Sequence, residues 1–232
     1  MALVKFGAGV VQMSGSIGGT TFARNSSGNY ARARTTPVNP QSTRQEKIRA
    51  VIAYLTDRWL ETVTALQRAA WGDYALAVAM KNRLGESIHL SGFNHYIRSN
   101  AALLYGDYAV VDAAPVILAL PDQDPTLAFT ASEATQDLSI VFDDAAAWAA
   151  EVGGYMFVRM SRPQNPTRNF FAGPYLFADA LEGAVVPLTS PHDVAAPTPI
   201  VEGHRLWIAC RIVRADGRLS EVFHAGPTDA AA

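Results

Sequence analysis

The chain is poor in the residues that build several common kinds of site. Its 232 residues include one cysteine, Cys210, which excludes an intramolecular disulfide and any multi-cysteine zinc site. No apolar run approaches the roughly 18 residues that a membrane span needs. The opening MALVKFGAGVVQMSG has neither the long apolar centre nor the cleavage site of a secretory signal. Neither a membrane anchor nor a leader is therefore expected. Acids are missing from residues 1–40, and lysine is missing from residues 111–232. What is present fits a globular chain of one or two domains, with 49% hydrophobic and 17% charged residues.

The net charge of −2 conceals a polarity along the chain. Residues 1–50 carry seven basic residues against Glu46 alone. Residues 51–110 carry five of each sign, and residues 111–232 carry seven arginines against fifteen acids. A basic beginning and an acidic end point to two functional parts. Complementary patches of this kind also steer head-to-tail association of copies.

The spacing of apolar residues predicts an α+β chain in three segments: residues 1–40, 41–110 and 111–232. In the first, Ile17-Gly-Gly-Thr-Thr-Phe-Ala-Arg-Asn25 and Asn29-Tyr-Ala-Arg-Ala-Arg-Thr-Thr36 alternate on either side of Ser26-Ser-Gly28, the pattern of a β-hairpin. Phe22, Tyr30 and a few alanines are too little apolar surface to hold a hairpin alone in water. The glycines before it read as a flexible hinge. The segment is expected to be a basic arm that takes its shape against another molecule.

Residues 41–110 read as three helices. Capping boxes at Ser42/Gln45 and Thr64/Gln67 open the first two, and Ser91-Gly-Phe-Asn94 opens the third. Ile48, Val51, Ile52, Leu55, Trp59 and Val63 recur at helical spacing, as do Leu66, Ala70, Trp71, Tyr74 and Val78, then Phe93, Tyr96, Ile97, Asn100, Leu103 and Leu104. Beyond Pro115 the period becomes two. Strands are expected over Val116–Leu120, Leu127–Thr130, Leu138–Phe142, Tyr155–Ser161, Phe170–Phe177, Ala184–Leu188, Leu206–Val213 and Leu219–His224. Arg214-Ala-Asp-Gly-Arg218 is a turn of the Asp-Gly kind. This many short strands with Pro/Gly punctuation predicts a β-sandwich of immunoglobulin or fibronectin type III style, with Trp207 as an inward anchor.

No catalytic constellation emerges, so no enzyme activity and no cofactor is expected. His89, His95, His192, His204 and His224 never fall at metal-ligand spacing, and they read as surface or capping residues. Asp122, Asp124, Asp143 and Asp144 lack the twelve-residue calcium loop and read as turn formers. Gly7-Ala-Gly9 and Ser14-Gly-Ser-Ile-Gly-Gly19 lack the lysine of a phosphate-binding loop. Ser14, Ser16 and Cys210 sit in no nucleophile elbow, and Cys210 reads as a buried thiol. The binding candidates are Arg24, Tyr30, Arg32, Arg34 and Phe22 in the hairpin. They mix cations with stackable rings, as single-strand nucleic-acid binders do, or they form a partner-docking face. A glycan or receptor site on the sandwich would rest on Trp148, Tyr155, Tyr175 and Trp207.

Ser14-Gly-Ser-Ile-Gly-Gly-Thr-Thr-Phe-Ala-Arg-Asn25, Gly28-Asn-Tyr-Ala-Arg-Ala-Arg-Thr-Thr-Pro-Val-Asn-Pro40, Val63-Thr-Ala-Leu-Gln-Arg-Ala-Ala-Trp-Gly-Asp-Tyr-Ala75 and Gly92-Phe-Asn-His-Tyr-Ile-Arg-Ser-Asn100 follow in order. Together they resemble a group of uncharacterised tailed-phage and prophage virion-associated proteins, with Val63 where the group usually has Leu. The resemblance covers about residues 9–105 and supplies no catalytic residues. It implies a virion structural protein, assembled in the bacterial host cytoplasm. Its partners would be the major capsid protein, tail proteins or further copies of itself. The expected role is capsid decoration or cement; a tail, neck or baseplate position and a nucleic-acid-binding role are the alternatives.

Overall fold

The computed structural model describes residues 2–25, 28–82, 84–184 and 188–232. The chain is an α+β fold of three helices and several antiparallel sheets. At the start, β1 (Ala2–Leu3), β2 (Gly15–Ile17), β3 (Thr20–Asn25) and β4 (Gly28–Ala33) form a sheet in the order β1-β4-β3-β2. The expected hairpin is its centre, β3 against β4, widened by a strand on each side. Most of the loop expected between them, Ser26-Ser27, lies outside the described residues.

Helices α1 (Thr43–Glu61), α2 (Ala65–Ala77) and α3 (Gly92–Tyr105) follow. The Thr64/Gln67 box forms in both directions: Gln67 N donates to the Thr64 hydroxyl at 3.3 Å, and Thr64 N donates to Gln67 Oε1 at 2.9 Å. Ser91 caps α3 through Asn94 N at 3.2 Å. Ser42 stands at the start of α1 with extended backbone, but its side chain makes no capping bond. Between α2 and α3 the chain makes a small hairpin, β5 (Ala79–Lys81) with β6 (Ser87–His89), where no strand was expected.

The helices bury Val51, Leu55, Val63, Trp71, Tyr74, Val78 and Tyr96 in one cluster. Ile48, Ile52 and Leu66, expected on these apolar faces, are exposed. Asp112 closes the bundle from outside. The Arg58 guanidinium donates to both of its carboxylate oxygens at 2.8 and 2.7 Å, Tyr96 Oη donates at 3.1 Å, and Trp71 Nε1 donates to its backbone oxygen at 3.0 Å. The Arg58 bond first, with the Tyr96 bond and the Arg58 charge, holds the Asp112 carboxyl below its ordinary value. Asn100 adds a reciprocal pair of bonds with the Val111 backbone at 2.8 and 3.0 Å. The segment after residue 110 therefore belongs to the helices. The strand expected over Val116–Leu120 does not form there: Leu120 packs on the helical cluster, while Val116, Ile117 and Leu118 are exposed.

The remaining strands are β7 (Ala128–Ala131), β8 (Asp137–Val141), β9 (Tyr155–Met160), β10 (Leu176–Glu182), β11 (His192–Ala195), β12 (Arg205–Val213) and β13 (Phe223–Asp229). They form a four-stranded sheet β10-β9-β12-β13 and a three-stranded sheet β11-β8-β7. Alternate residues of both meet in one cluster that includes Phe129, Leu138, Ile140, Met156, Val158, Met160, Leu206, Ile208 and Cys210. Burial pushes the Cys210 thiol pKa well up, as expected for an inert core thiol. The segments expected as Phe170–Phe177 and Leu219–His224 pair later, as β10 and β13. β11 arises where no strand was expected, and the strand expected over Ala184–Leu188 falls on residues 185–187, outside the described residues.

Trp207 does not face this core. Period-two alternation sends Leu206 and Ile208 inward, so Trp207 points to the other face, where Phe171 stacks on it at 5.7 Å. The inward tryptophan is Trp148, packed on Phe142. The outer face of the larger sheet meets α3 through a third cluster of Leu103, Phe157, Val213 and Leu219, which joins the helices to the sheet.

Candidate functional site

The N-terminal sheet carries the binding candidates, and its register decides which of them can act together. In the β3–β4 pair Thr21 faces Arg32, Phe22 faces Ala31, Ala23 faces Tyr30 and Arg24 faces Asn29. Side chains of directly paired residues share a face, and the face alternates along each strand. Tyr30 and Arg32 therefore lie on one face with Ala23, Thr21 and, through the β1 pairing, Leu3. Phe22 and Arg24 lie on the other with Ala2 and Ala31. Arg34 follows the end of β4, where its backbone N donates to Gly19 O at 2.7 Å, and by alternation it continues the Tyr30–Arg32 face. The structure brings Tyr30, Arg32 and Arg34 together and separates them from Phe22 and Arg24.

Glycine builds the outer strand. Gly18 and Gly19 have φ of +56° and +79° between Ile17 and Thr20, which pair directly. Positive φ at both positions of a two-residue hairpin loop is the type I′ turn, whose twist matches the strands, and Gly-Gly supplies it. The stretch read as a hinge is thus the turn that folds β2 back on β3, and Ser16 Oγ meets Thr21 Oγ1 across the pair at 2.8 Å.

No described residue from 2 to 40 is buried. None contributes to the three apolar clusters, and Ile17 on the edge strand is 69% exposed. Arg24, Arg32 and Arg34 are exposed and form no ion pair among the described residues. The sheet touches the rest of the molecule mainly beside the β5–β6 hairpin, where Lys5 pairs with Glu86. That ammonium, with the Asn82 amide second, holds the Glu86 carboxyl below its ordinary value. A groove of about 480 Å³ lies alongside, walled by Leu3, Phe6, Val10 and Val11 against Asn82 and Leu84. The arrangement offers an open strand edge, a basic face and a shallow apolar groove.

The other candidates are dispersed. Trp148 is in the core, Tyr155 is stacked on Tyr108 at 4.1 Å, and Trp207 lies under Phe171, which Tyr175 also meets edge-on. Only Tyr175 and Trp207 come near one another. Four histidines lie at least partly at the surface, whereas His95 is fully buried, against the surface or capping role expected of it. Asp124 and Asp143 accept backbone N–H bonds in turns. Among the described residues no cluster of three or more His, Cys, Asp or Glu side chains could hold a metal ion. Nor is any described helix long and apolar enough to cross a membrane. In comparisons with known proteins the chain matches no family model, no curated sequence and no solved structure.

Proposed function

We propose that the protein is a structural component of a phage virion, a capsid decoration or cement protein that docks through its N-terminal sheet. One observation carries the reading: a four-stranded sheet with no fully buried residue among those described, outside all three apolar clusters, with open edges and three arginines that form no ion pair among the described residues. A sheet is stable when at least one face is covered by another layer. The missing layer is a neighbouring virion protein or a second copy of this chain, and strand addition at the β2 edge is the means of attachment. The acidic C-terminal part faces outward. We assign it the immunoglobulin-like arrangement, because its first, second and fifth strands form one sheet and its fourth, third, sixth and seventh the other. This is the A-B-E and C′-C-F-G order of such sandwiches, with the fourth strand at the C′ place. A tail, neck or baseplate position would use the same contacts.

The test is deletion of residues 1–40, which removes no member of any apolar cluster. The shortened chain should remain folded and fail to enter particles; unchanged incorporation refutes the reading. A second reading, nucleic-acid binding, draws on the Tyr30–Arg32–Arg34 face. It requires affinity for a short DNA that falls steeply with salt and collapses on replacing Arg32 and Arg34.

A further inference from the structure

Away from the N-terminal sheet, four arginines from four separate elements line one cleft: Arg44 at the start of α1, Arg98 on α3, Arg159 on β9 and Arg211 on β12. The cleft holds about 200 Å³ between the two helices and the outer face of the larger sheet. Register makes the clustering unavoidable. Arg159 pairs with Ala209 and Arg211 pairs with Phe157, so the two guanidinium groups lie diagonally on one face of neighbouring strands. Like charges so placed repel.

No carboxylate pairs directly with the cluster among the described residues. Arg58, Arg205, Arg214 and Arg218 each have a carboxylate partner, whereas none of the four cleft arginines forms an ion pair among the described residues. Arg98 spends two nitrogens on the Leu219 and Ser220 carbonyls at 2.6 and 2.7 Å, and Arg44 spends one on Tyr175 O at 3.2 Å. Arg159 and Arg211 make no side-chain hydrogen bond to any described residue, and Arg211 Nε is buried without a partner. Glu221 is the acid whose field reaches Arg98 and Arg211. Burial first, then Arg98 and Arg159, push the Arg211 pKa down to about 10. Arginine stems often cover apolar surface, but then the head group sits in water. A buried, unpartnered Nε beside the Arg98 and Arg159 cations needs a different account.

The geometry points to a binding site for a small oxyanion of the phosphate class, held by Arg159 and Arg211 from the sheet and by Arg44 and the remaining donors of Arg98 from the helices. Guanidinium forks match the paired oxygens of such an anion, and a dianion offsets more of the cluster than a single carboxylate does. At about 30 Å³ per water, the cleft has room for about six waters. That suits a free phosphate or one terminal phosphate group and excludes a nucleic-acid duplex. The site is separate from the N-terminal sheet and does not depend on its docking role.

The experiment uses the full chain in phosphate-free buffer at constant ionic strength, with thermal shift and calorimetric titration. The probes are orthophosphate, a nucleoside monophosphate and acetate, with chloride as the matched control. Orthophosphate should raise Tm by several degrees over chloride. Arg159→Met and Arg211→Met should each weaken binding at least tenfold. Arg44→Gln, at an exposed position that guards against variants that fail to fold, should weaken it several-fold while leaving the ligand-free Tm within about a degree. Arg24→Ala in the N-terminal sheet should bind as the wild type does. A monophosphate that binds more tightly than orthophosphate names a carried phosphate as the source; equal binding names the free ion. No phosphate-specific shift in the wild type overturns the assignment, as does an equal response to acetate or binding kept by all three cleft variants.

Discussion

His95 turns the packing of the helices into a pH-dependent stability. It lies on α3 with no exposed surface, edge-on to Tyr74 at 5.2 Å, and neither ring nitrogen has a partner among the described residues. Burial, and after it the charges of Arg98 and His89, push its pKa down from 6.5 to about 4. The unfolded chain therefore takes up a proton near pH 6.5 that the folded chain refuses until about pH 4. Stability is fully present above the unfolded value and is lost as pH falls toward the folded one. At about 1.4 kcal/mol per pH unit, the loss reaches about 3 kcal/mol. The assay is urea unfolding followed by tryptophan fluorescence at pH 7 and pH 4.5, for the wild type and for His95→Met. Methionine is close in volume and removes two buried polar atoms, so the variant should be within about 1 kcal/mol of the wild type at pH 7. At pH 4.5 it should be the more stable by about 2 kcal/mol. If the difference between the two proteins is the same at both pH values, the reasoning fails.

Asp112→Ala strands the Arg58 guanidinium and releases Tyr96, and should cost about 2 kcal/mol in urea unfolding at pH 7. Because the Asp112 carboxyl is held below its ordinary value, its contribution is present above the unfolded value of 3.8 and disappears only as pH falls further. The gap between the two proteins should hold from pH 7 to 5 and close below pH 4, a window distinct from that of His95. Gly92→Ala places a methyl carbon 2.7 Å from the Gly72 backbone nitrogen and should lower Tm by several degrees through α2–α3 separation. Replacing Gly18 and Gly19 together with Ala should open the β2–β3 turn, read as faster amide exchange at Ile17 and Thr20. Changing Arg24, Arg32 and Arg34 to Ala should leave Tm within about a degree, because none of them forms an ion pair among the described residues, and under the proposed docking role should reduce incorporation into particles. An equal loss of Tm and incorporation would show that the effect is on folding.

The sequence is most legible where local chemistry and packing agree. The Thr64 box, the buried faces of α2 and α3 and the alternation of β8, β9 and β12 are all readable from residue spacing. Gly92 meets the Trp71-Gly72 backbone where α3 packs on α2, and a methyl carbon there would lie 2.7 Å from the Gly72 nitrogen, so glycine is required at that contact. Misreadings come where a distant partner decides. Val116–Leu120 has strand composition, but Asp112 and Leu120 tie its flanks to the helices, and among the described residues it pairs with no strand. Trp207 follows the alternation of β12 outward, and its bulk had suggested the opposite. Gly18-Gly19 carried the signature of a two-residue turn, which the loose composition around it disguised as a hinge. The arginine cleft was invisible, since its members are spread from residue 44 to residue 211 and meet only through tertiary structure.

The separation of the five hairpin candidates onto two faces bears on what the N-terminal sheet binds. A single-stranded nucleic acid needs rings and cations on one platform, so that bases stack while phosphates are paired. Here one face offers Tyr30 with Arg32 and Arg34, and the other offers Phe22 with Arg24. A protein partner makes no such demand. It can grip the strand edge through backbone bonds, which are blind to side chains, and cover either face with its own apolar or acidic residues. The Tyr30–Arg32–Arg34 face alone joins one ring to two cations, a small platform for bases, whereas the proposed protein docking would use both faces and the strand edge. The lack of acids over residues 1–40 fits the proposed docking, because a segment whose charges are all of one sign favours an acidic partner surface.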